Sequence, residues 1–475
     1  MKNYEFINNN LLDLNKIFSC YSKKDLMTFN KKTITYGEFK TNLLSIIGLL
    51  NEIGVKNGNK IALYLENSPL HLYLLLASWV MNFMFIPLNF KAPLDSLLAD
   101  INIDILLSKK MPERNFNGKI FEPKILLDFS PKTTFNIDKI NMLNESSVIF
   151  TSGSSGIPKG VVHSVENYVY SALGTIEFLD IDETDTLLLS LPLYHVGGLL
   201  IFIRSLLSGA NLIIPYDLKS IELSINTYKP TMLSLVPTQL IRYLNSKETT
   251  ENLKSCKAIL LGGAPSPKWL IDKALEMNLS IVPTYGLTES CAQVTCIKSS
   301  SPKESYYTSG KILPYRELTF DENNLITLGG KNLFKYYIIK NEKVFPVVEE
   351  KFKTSDIGKL DKDGNLIVLG RADQIFISGG ENINPFEIEK YLLEIEGIIS
   401  AIVVSVAHKE FGEIPWAFIE ATDDINVNDI KTKLKMFLPS YKIPKNIIIL
   451  NPKNTPQGIK YSRKELKEMA KTIIN

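Results

Sequence analysis

Short β-rich runs alternate with helical patterns along most of this chain, and that alternation is the feature that most limits its fold. The run KIALYLENS precedes a long apolar helix, LLLSLPLY precedes GGLLIFIRSLLSG, TMLSLVPT precedes QLIRYLNS, and AILLGGAP precedes KWLIDKALEM. Such alternation is typical of largely parallel sheets covered by helices, in which ligands bind where strands end in loops. The sequence therefore predicts the α/β class.

A boundary between two domains is predicted near residue 370, because a chain of 475 residues is too long for one compact core. The sequence before the boundary is β-rich and punctuated by turns. Beyond it a new unit begins, with Pro385 near the start of the helix PFEIEKYLLEI. We predict a large N-terminal domain, residues 1–370, of packed, mostly parallel sheets with covering helices, and a small α+β C-terminal domain, residues 371–475, with a hinge near 371–374.

The composition indicates a protein that binds small molecules. Its 53 basic and 51 acidic residues are mixed along the chain, so no basic stripe indicates a nucleic-acid partner. The cysteines at positions 20, 256, 291 and 296 have no spacing typical of a disulfide framework or a zinc site, and the N-terminus has no apolar signal segment. We expect a cytoplasmic protein with reduced thiols.

One apolar segment, Ser68–Phe90, is almost long enough to span a membrane, which takes about 20 residues. The polar residues His71, Ser78 and Asn82 interrupt the segment, and Pro87 ends it. We therefore expect a buried helix that runs into a strand, and no insertion into a membrane.

The segment Thr151–Gly160, TSGSSGIPKG, follows an apolar run and combines glycines, hydroxyl side chains and one lysine. Backbone N–H groups and hydroxyls with little steric obstruction suit phosphate oxygens, and Lys159 adds a positive charge. The segment departs from a Walker A loop, because Pro158 stands where that motif has the glycine before its lysine, and Gly160 stands where it has Ser or Thr. Taken alone, the segment predicts either a phosphate-binding loop or a solvated linker.

Together with Phe150, this segment resembles the phosphate loop of the adenylate-forming superfamily of acyl-CoA synthetases at every fixed position. Four further motifs are similar to those of the superfamily and occur in the same order: YGLTE at Tyr285–Glu289, TSDIG at Thr354–Gly358, GRADQIFISGGENINPFEIE at Gly370–Glu389, and GIKYSRKEL at Gly458–Leu466. The resemblance covers nearly the whole chain, and it implies that the small C-terminal domain is mobile.

Within the superfamily, the stretches LPLYHVGGL, LLGGAPSPKWL, TYGLTESCAQVT and SGGEN are most similar to the branch that joins o-succinylbenzoate to CoA in menaquinone synthesis. The resemblance implies a ligase that uses ATP, Mg²⁺ and CoA with a small-molecule carboxylic acid. The carboxylate first attacks the α-phosphate of ATP to give an acyl-adenylate and pyrophosphate, and the CoA thiol then displaces AMP. Another aryl- or acyl-CoA ligase and a non-catalytic adenylate-binding protein remain alternative hypotheses, and a homo-oligomer is left open.

The resemblance also implies the nucleotide-binding residues. Tyr285 is expected to stack on adenine, Thr288 to bond the α-phosphate, and Glu289 to ligate Mg²⁺ through oxygen. Asp356 is expected to accept hydrogen bonds from the ribose hydroxyls, and Arg371 to donate to the same nucleotide. Taken alone, YGLTE and TSDIG could each be a turn. The full set of expected ATP-binding residues is Thr151, Ser152, Gly153, Ser154, Ser155, Gly156, Lys159, Gly262, Gly263, Ala264, Pro265, Tyr285, Gly286, Thr288, Asp356, Arg371 and Lys460.

The C-terminal motifs are expected to serve both half-reactions. In this family the small domain rotates about its hinge, so Lys460 meets the reacting groups in the first step and another face forms the CoA tunnel in the second. Asp373 occupies the hinge position, and Gly379 and Gly380 are expected to leave room for the pantetheine arm of CoA. Alternatively, the glycine pair is a hairpin turn and the lysine is a solvated side chain. The expected catalytic residues are Lys460, Thr288, Glu289 and His195.

The acid substrate that the resemblance implies has a second carboxylate, which its binding pocket must accommodate. A second carboxylate, as in o-succinylbenzoate, requires a cation or several hydrogen-bond donors when it leaves water. His195 and Arg204 are the nearest candidates in sequence, and Gly263 is expected to line the same pocket. Alternatively, His195 is a hydrogen-bonded core histidine and Arg204 a surface charge on an amphipathic helix. Gly197 is a departure, because ligases of this branch often have Ser there.

Overall fold

The computed structural model describes residues 4–99, 101–113, 115–126, 135–151, 158–217, 219–421, 425–450 and 461–474. The helices of these residues are, in chain order, α1 (Leu14–Cys20), α2 (Tyr36–Glu52), α3 (Pro69–Met81), α4 (Leu94–Leu97), α5 (Val165–Leu179), α6 (Val196–Ser208), α7 (Ile221–Tyr228), α8 (Pro237–Tyr243), α9 (Lys247–Leu253), α10 (Lys268–Glu276), α11 (Pro385–Leu393), α12 (Val427–Leu434) and α13 (Arg463–Ile474).

The strands of the same residues are β1 (Ile7–Asn8), β2 (Leu11–Leu12), β3 (Asp25–Phe29), β4 (Lys32–Thr35), β5 (Lys60–Tyr64), β6 (Met84–Pro87), β7 (Ile105–Ser108), β8 (Lys119–Phe121), β9 (Ile140–Asn141), β10 (Glu145–Thr151), β11 (Lys159–Ser164), β12 (Thr186–Leu188), β13 (Asn211–Ile214), β14 (Met232–Leu235), β15 (Ala258–Leu261), β16 (Ile281–Leu287), β17 (Ala292–Cys296), β18 (Lys311–Ile312), β19 (Arg316–Phe320), β20 (Leu325–Gly330), β21 (Tyr336–Ile339), β22 (Glu342–Val344), β23 (Lys351–Leu360), β24 (Leu366–Arg371), β25 (Phe376–Ser378), β26 (Glu381–Ile383), β27 (Ile398–His408), β28 (Gly412–Ala421) and β29 (Asn446–Ile449).

Two large sheets dominate the N-terminal part of the chain. One has the order β22-β21-β11-β10-β6-β5-β7-β8, and the other has the order β18-β17-β16-β15-β14-β12-β13-β3-β4. The strands from β10 to β8 and from β16 to β3 pair in parallel, whereas antiparallel strands extend three of the four edges. The prediction of mostly parallel sheets with covering helices is confirmed.

A layer of helices lies between these two sheets. Helices α2, α3, α5 and α6 share one apolar core with strands of both sheets, and its largest buried side chains include Trp79, Phe85, Tyr168 and Phe202. Burial on both sides explains why α3 and α6 are apolar around most of their circumference. The carboxyl ends of the neighbouring parallel strands β15 and β16 lead directly into predicted site residues, as expected for this class.

The apolar segment Ser68–Phe90 forms α3 followed by β6, as the sequence predicts. Pro69 is the first residue of the helix, where its missing N–H has no helical partner to lose, and Asn82 ends the helix in the left-handed conformation. In the part of the chain that the structure describes, no helix is both long and apolar enough to cross a membrane.

A four-stranded antiparallel sheet, β19-β20-β23-β24, precedes the C-terminal residues. Beyond it, β25, β26, β27, β28 and β29 form one sheet, and apolar residues of α11 and α12 build a separate core on it. The contacts that join these residues to the preceding chain include two hydrogen bonds: Asn384 Nδ2 donates to Leu369 O at 3.0 Å, and Trp269 Nε1 donates to Ile398 O at 3.2 Å. The predicted division between residues 370 and 371 stays a prediction.

Candidate active site

The predicted metal-binding residue lies on a tight turn between β16 and β17. Residues Thr288–Ser290 form one turn of 3₁₀ helix, and Cys291 and Ala292 follow with φ angles of 48° and 73°. At Gly286 an added Cβ would lie 2.0 Å from Ala292 O, so no larger residue fits without moving the backbone. The glycine of YGLTE is therefore explained by the shape of the turn.

Four contacts from outside hold this turn in place. His163 on β11 places Nε2 at 2.7 Å from Thr288 O, and the Phe334 N–H donates to Glu289 O at 2.9 Å. Asn332 Nδ2 donates to Ser290 O at 2.6 Å, and the Tyr337 hydroxyl donates to Glu289 Oε1 at 2.8 Å. Three of the four contacts come from residues 332–337, so a single segment positions both the backbone and the carboxylate of the turn.

Burial affects two of the groups around this turn. It lowers the pKa of His163 to about 4, and it raises the pKa of the Tyr337 hydroxyl, with the nearby Glu289 carboxylate adding to the effect. His163 is thus neutral near pH 7, and within the described parts of the chain its buried Nδ1 has no hydrogen-bond partner. A neutral imidazole that donates from Nε2 to Thr288 O accounts for the observed contact.

The ends of the predicted phosphate loop lie beside this turn. Thr151 at the end of β10 pairs with Lys159 at the start of β11, so the loop closes an antiparallel hairpin. The Lys159 Nζ atom lies 5.2 Å from the centroid of the Tyr337 ring, a cation–π distance. Five predicted phosphate-binding residues of the loop, Ser152, Gly153, Ser154, Ser155 and Gly156, lie outside the described residues, as does Lys460.

Four predicted residues form what we call the nucleotide cluster: Tyr285, Asp356, Arg371 and Asp373. The Tyr285 hydroxyl donates to Asp356 Oδ2 at 2.6 Å, and Arg371 Nη1 donates to Asp356 Oδ1 at 3.4 Å. The other edge of the Arg371 guanidinium pairs with both oxygens of Asp373, at 3.0 and 2.8 Å. The cluster therefore joins the predicted adenine and ribose residues to the predicted hinge.

The charge environment of Asp356 is mixed. Burial raises the pKa of its carboxyl above the usual range, and the Tyr285 hydroxyl and the Arg371 guanidinium act in the opposite direction. For Tyr285, burial and the neighbouring carboxylate of Asp356 raise the pKa of the hydroxyl. Asp356 thus needs donors, which is the property expected of a residue that accepts from ribose hydroxyls.

The predicted wall of the pocket follows the end of β15. An added Cβ at Gly262 would lie 2.8 Å from Thr284 Cγ2, so a larger residue there would displace Thr284, and Gly263 has a φ of 79°, which favours glycine. Ala264 and Pro265 follow directly, and Pro265 is exposed. The backbone of this segment is therefore close to Thr284 and open to solvent on its other side.

Arg204 belongs to a buried group that we call the arginine cluster: Arg204, Arg316 and Gln293. Arg204 is 3% exposed and Arg316 is 7% exposed, so the alternative of a surface charge at Arg204 is wrong. Helix α6 is buried on nearly all sides because it lies between the two sheets. Arg204 Nη2 donates to Gln293 Oε1 at 2.7 Å, and the buried Arg204 Nε has no hydrogen-bond partner among the described residues.

The two guanidiniums of this cluster differ in how they are satisfied. Arg316 donates to three backbone carbonyls, those of Gln293, Pro314 and Ser171. In the part of the chain that the structure describes, neither arginine has a carboxylate within salt-bridge distance. Burial lowers the pKa of Arg204 to about 10, and burial together with Arg204 lowers the pKa of Arg316 to about 9.

A chain of contacts connects Arg204 to the pocket wall. Gln293 Nε2 donates to Thr284 Oγ1 at 3.1 Å, and Thr284 Cγ2 is the atom that faces Gly262. The Thr175 hydroxyl also donates to Gln293 Oε1, at 3.1 Å, so the orientation of this amide is well defined. Gln293 thus lies between the buried cation and the segment that carries Gly262 and Gly263.

His195 lies just before α6 and its side chain is exposed, so the alternative of a hydrogen-bonded core histidine is wrong. Its ring centroid is 4.6 Å from that of Tyr194. Enough protein surrounds the ring for desolvation to lower the pKa of His195, although solvent reaches it. This combination is typical of a side chain in a cleft.

Gly379 and Gly380 form the two-residue connection of the β25–β26 hairpin, with φ angles of 56° and 87°. These angles match a type I′ turn, so the hairpin alternative is confirmed. At Gly380 an added Cβ would meet no atom within 4 Å, whereas at Gly379 it would lie 3.1 Å from the Phe411 ring. A role in CoA binding stays a prediction.

The donor set of the turn suits Mg²⁺. Among the described residues no group of three or more His, Cys, Asp or Glu could hold a metal ion. A single carboxylate, Glu289, beside a hydroxyl, Thr288, is instead the arrangement by which Mg²⁺ is bound together with substrate phosphates and water. The oxygen chemistry therefore fits the predicted ion.

Sequence reasoning missed four residues of the site: His163, Gln293, Arg316 and Tyr337. None lies at a position for which a role was predicted, although Gln293 follows YGLTE closely in TYGLTESCAQVT. The sequence did contain a signal for Gln293, because a polar side chain within a short strand pattern is typical of a residue that makes a specific hydrogen bond. The other three have no sequence signal that we can identify.

The chain belongs to the AMP-binding enzyme family. The family profile matches residues 18–324, and the profile of the AMP-binding enzyme C-terminal domain matches residues 387–458. Among curated proteins, the chain is 28% identical over 454 residues to a 2-succinylbenzoate–CoA ligase of Listeria monocytogenes, a match that covers 94% of this chain and 96% of the relative.

Solved structures give the same likeness. An o-succinylbenzoate CoA synthetase from Bacillus subtilis in complex with its acyl-adenylate intermediate has a TM-score of 0.83 and 26% identity, with 96% of this chain and 97% of that chain covered. The same enzyme in complex with ATP and magnesium ion has a TM-score of 0.81 and 25% identity, with 92% and 95% covered.

Proposed function

We propose that this chain is an ATP-dependent acid–CoA ligase whose acid substrate is 2-succinylbenzoate, in menaquinone biosynthesis. The observation that carries the choice of acid is the arginine cluster. Arg204 is buried, no described carboxylate pairs with it, and Gln293 and Thr284 connect it to the pocket wall at Gly262. A dicarboxylic acid supplies the anion that this buried cation lacks. Near full-length similarity to 2-succinylbenzoate–CoA ligases supports the same choice.

In the first half-reaction the succinyl carboxylate attacks the α-phosphate of ATP, and pyrophosphate leaves. Tyr285 stacks on adenine, Asp356 accepts from the ribose hydroxyls, Thr288 bonds the α-phosphate, and the loop that ends at Lys159 binds the β- and γ-phosphates. Donors and cations that are already oriented stabilise the charge that develops. Mg²⁺ held by Glu289 supplies further positive charge to the phosphates.

In the second half-reaction the CoA thiol attacks the carbonyl of the acyl-adenylate, and AMP leaves. Asp373 is the hinge residue, and the hairpin at Gly379 and Gly380 leaves room for the pantetheine arm of CoA. Contact between Arg371 and Asp373 supports a link between the nucleotide and the hinge, because Arg371 also contacts Asp356. Motion of the C-terminal residues then depends on which nucleotide is bound.

We infer that the reaction takes place in the cytoplasm, with CoA, ATP and the acid as partners and without nucleic acid. The four cysteines form no disulfide with one another, which agrees with a reducing compartment.

The test is an acid panel with two readouts, pyrophosphate release and formation of the CoA thioester. The central comparison is between 2-succinylbenzoate and 4-oxo-4-phenylbutanoate, which lacks only the benzoate carboxylate. We expect kcat/KM for the dicarboxylic acid to be higher by about thirtyfold or more, as for a desolvated charge pair. Preference for the mono-acid would make the chain a different acyl-CoA ligase, and no pyrophosphate release with any acid would leave a non-catalytic adenylate-binding protein.

A single variant separates the half-reactions. Lys460→Ala is expected to abolish acyl-adenylate formation and to leave thioester formation from a supplied acyl-adenylate nearly intact, because only the first step develops charge on the α-phosphate. Equal loss in both half-reactions would show that the lysine is structural or that another residue holds the position.

A further inference from the structure

Tyr337 contacts both charged residues that the proposed function assigns to the phosphates and their metal ion. Its hydroxyl donates to Glu289 Oε1 at 2.8 Å, and its ring faces the Lys159 Nζ atom at 5.2 Å from the centroid. Tyr337 is 6% exposed, so packing holds the ring in place. Among the described residues, Lys159 has no carboxylate within salt-bridge distance, and its charge remains available to a ligand.

The backbone around Tyr337 is tied to both charged residues as well. Strand β21 pairs with β11, with Tyr337 opposite Val161, two residues from Lys159. The same segment holds the turn of Glu289 through the Phe334 N–H and the Asn332 amide. Tyr337 is therefore the side chain through which one strand sets the separation between the cation and the carboxylate.

We propose that Tyr337 is a positioning residue that holds Glu289 and Lys159 in register for ATP and its magnesium ion. The hydroxyl orients one carboxylate oxygen of Glu289 and leaves the carboxylate aimed at the ion, and the ring keeps the lysine ammonium away from that carboxylate. This inference rests on the proposed function, because it concerns the same nucleotide site.

The neighbouring residue offers a matched control. Tyr336 has the same pair of contacts: its hydroxyl donates to Glu145 Oε1 at 2.6 Å, and the Lys343 Nζ atom lies 4.4 Å from its ring centroid. Tyr336 is also buried, at 3% exposed. Since successive side chains of a strand point to opposite faces of the sheet, Tyr336 lies on the face away from Glu289. Tyr336→Phe thus removes an equivalent hydrogen bond outside the site.

The experiment measures ATP binding by calorimetry to the full chain, without acid or CoA, in EDTA and in saturating Mg²⁺. For each protein the ratio of the two dissociation constants gives the enhancement of ATP binding by Mg²⁺. We expect Tyr337→Phe to reduce this enhancement by about three- to tenfold, the range for loss of one ordinary hydrogen bond, with Tyr336→Phe equal to the parent. Melting temperatures of the two variants should fall by similar amounts.

A double-mutant cycle makes the assignment specific. In a Glu289→Gln background, Tyr337→Phe should change the Mg²⁺ enhancement no further, because the carboxylate that the hydroxyl orients is gone. Tyr337→Leu, which also removes the ring, should in addition weaken ATP binding in EDTA, because Lys159 loses its contact.

Four outcomes would overturn the inference. An unchanged enhancement in Tyr337→Phe, or an equal loss in Tyr336→Phe, would show that the hydroxyl acts only through the stability of the sheet. An additive effect in the double mutant would show that Tyr337 does not act through Glu289. A parent protein whose ATP binding does not respond to Mg²⁺ would overturn this inference together with the proposed function, whereas the first results leave that function standing.

Discussion

The nucleotide cluster and the arginine cluster differ in what pairs with their cations: carboxylates in the first, and neutral acceptors in the second. Arg371 pairs with the carboxylates of Asp356 and Asp373, and the cluster is partly open to solvent. Arg204 and Arg316 share the interior, and their hydrogen-bond acceptors are neutral. A buried cation without an anion is unfavourable, and the proposed function therefore assigns the second carboxylate of the acid to Arg204. Under the proposed function, the first cluster accepts the ribose hydroxyls and contacts the hinge residue, and the second accepts the negative charge of the acid.

Replacement of Arg204, the cation whose Nε donor has no partner among the described residues, is expected to change a KM value more than any other substitution considered below. Arg204→Leu should raise the KM for 2-succinylbenzoate by about 2–4 kcal/mol, roughly 30- to 900-fold, because the second carboxylate loses a desolvated partner. The KM for ATP should be unchanged. Steady-state kinetics with each substrate varied in turn give both values.

Two controls accompany this variant. The mono-acid 4-oxo-4-phenylbutanoate should respond much less to Arg204→Leu, since it has no second charge to lose. The same substitution at Arg242, an exposed residue of α8, should leave both KM values at the parent level. If Arg204→Leu treats both acids as the parent does, the second carboxylate is bound elsewhere, and His195 becomes the candidate.

The second cation of the arginine cluster is expected to affect stability instead. Arg316→Met should lower the free energy of unfolding by about 2–3 kcal/mol, because it leaves the buried carbonyls of Gln293, Pro314 and Ser171 without their donor. The KM for the acid should change little in this variant. Denaturant unfolding measures the first quantity, and a large change in KM with unchanged stability would place Arg316 in the pocket and remove the contrast between the two arginines.

In the nucleotide cluster, a substitution is expected to raise the KM for ATP instead of the KM for the acid, and by a smaller factor. Asp356→Asn should raise the KM for ATP by about 1.5–2 kcal/mol, roughly 10- to 30-fold, because an amide accepts fewer and weaker hydrogen bonds than a carboxylate. The KM for the acid should stay at the parent level. Asp361→Asn, at the residue directly after the same strand, is the control and should change neither value. Equal changes in both KM values would mean that the two clusters are not separate.

The sequence predicts the sheets and the strand-end motifs, because parallel strands between helices produce a local alternation of residue types. This alternation can be read without knowing which strands pair. Tyr337, His163 and Arg316 could not be predicted in this way. Their contacts join residues 48, 125 and 145 positions apart, and they depend on which strands become neighbours and on the rotamers that the core permits.

The burial of Arg204 had a signal that the amphipathic interpretation overlooked. The sequence VGGLLIFIRSLLS of α6 is apolar around almost its whole circumference, and such a helix is buried on all sides. An amphipathic helix would show polar residues along one face, and only Arg204 and two serines break the apolar pattern. A lone arginine in a helix of this kind is better interpreted as a buried cation than as a surface charge.

The smallest effect, and the finest test of the contrast, is the dependence of stability on pH. Burial raises the pKa of Asp356, so the folded protein binds a proton more tightly there than the unfolded chain does. The contribution of Asp356 to stability is thus most favourable at low pH and is lost as pH rises through its raised folded-state pKa. Asp356→Asn should therefore become more stable relative to the parent as pH rises above about 4.

Asp361 gives the opposite sign within the same sheet. Burial acts to raise its pKa, but hydrogen bonds from the side chain and N–H of Asn365 outweigh that effect and lower it. Its contribution is present above the pKa of an unfolded aspartate and is lost as pH falls through the lower folded-state value. Asp361→Asn should therefore lose stability relative to the parent as pH rises toward about 4, the pKa of an unfolded aspartate, and change no further above it. Unfolding free energies of the three proteins between pH 3 and 7 would yield two difference curves of opposite slope. Parallel slopes would mean that Asp356 is stabilised as an ion, so that its hydrogen-bond donors already match its charge before any ribose binds.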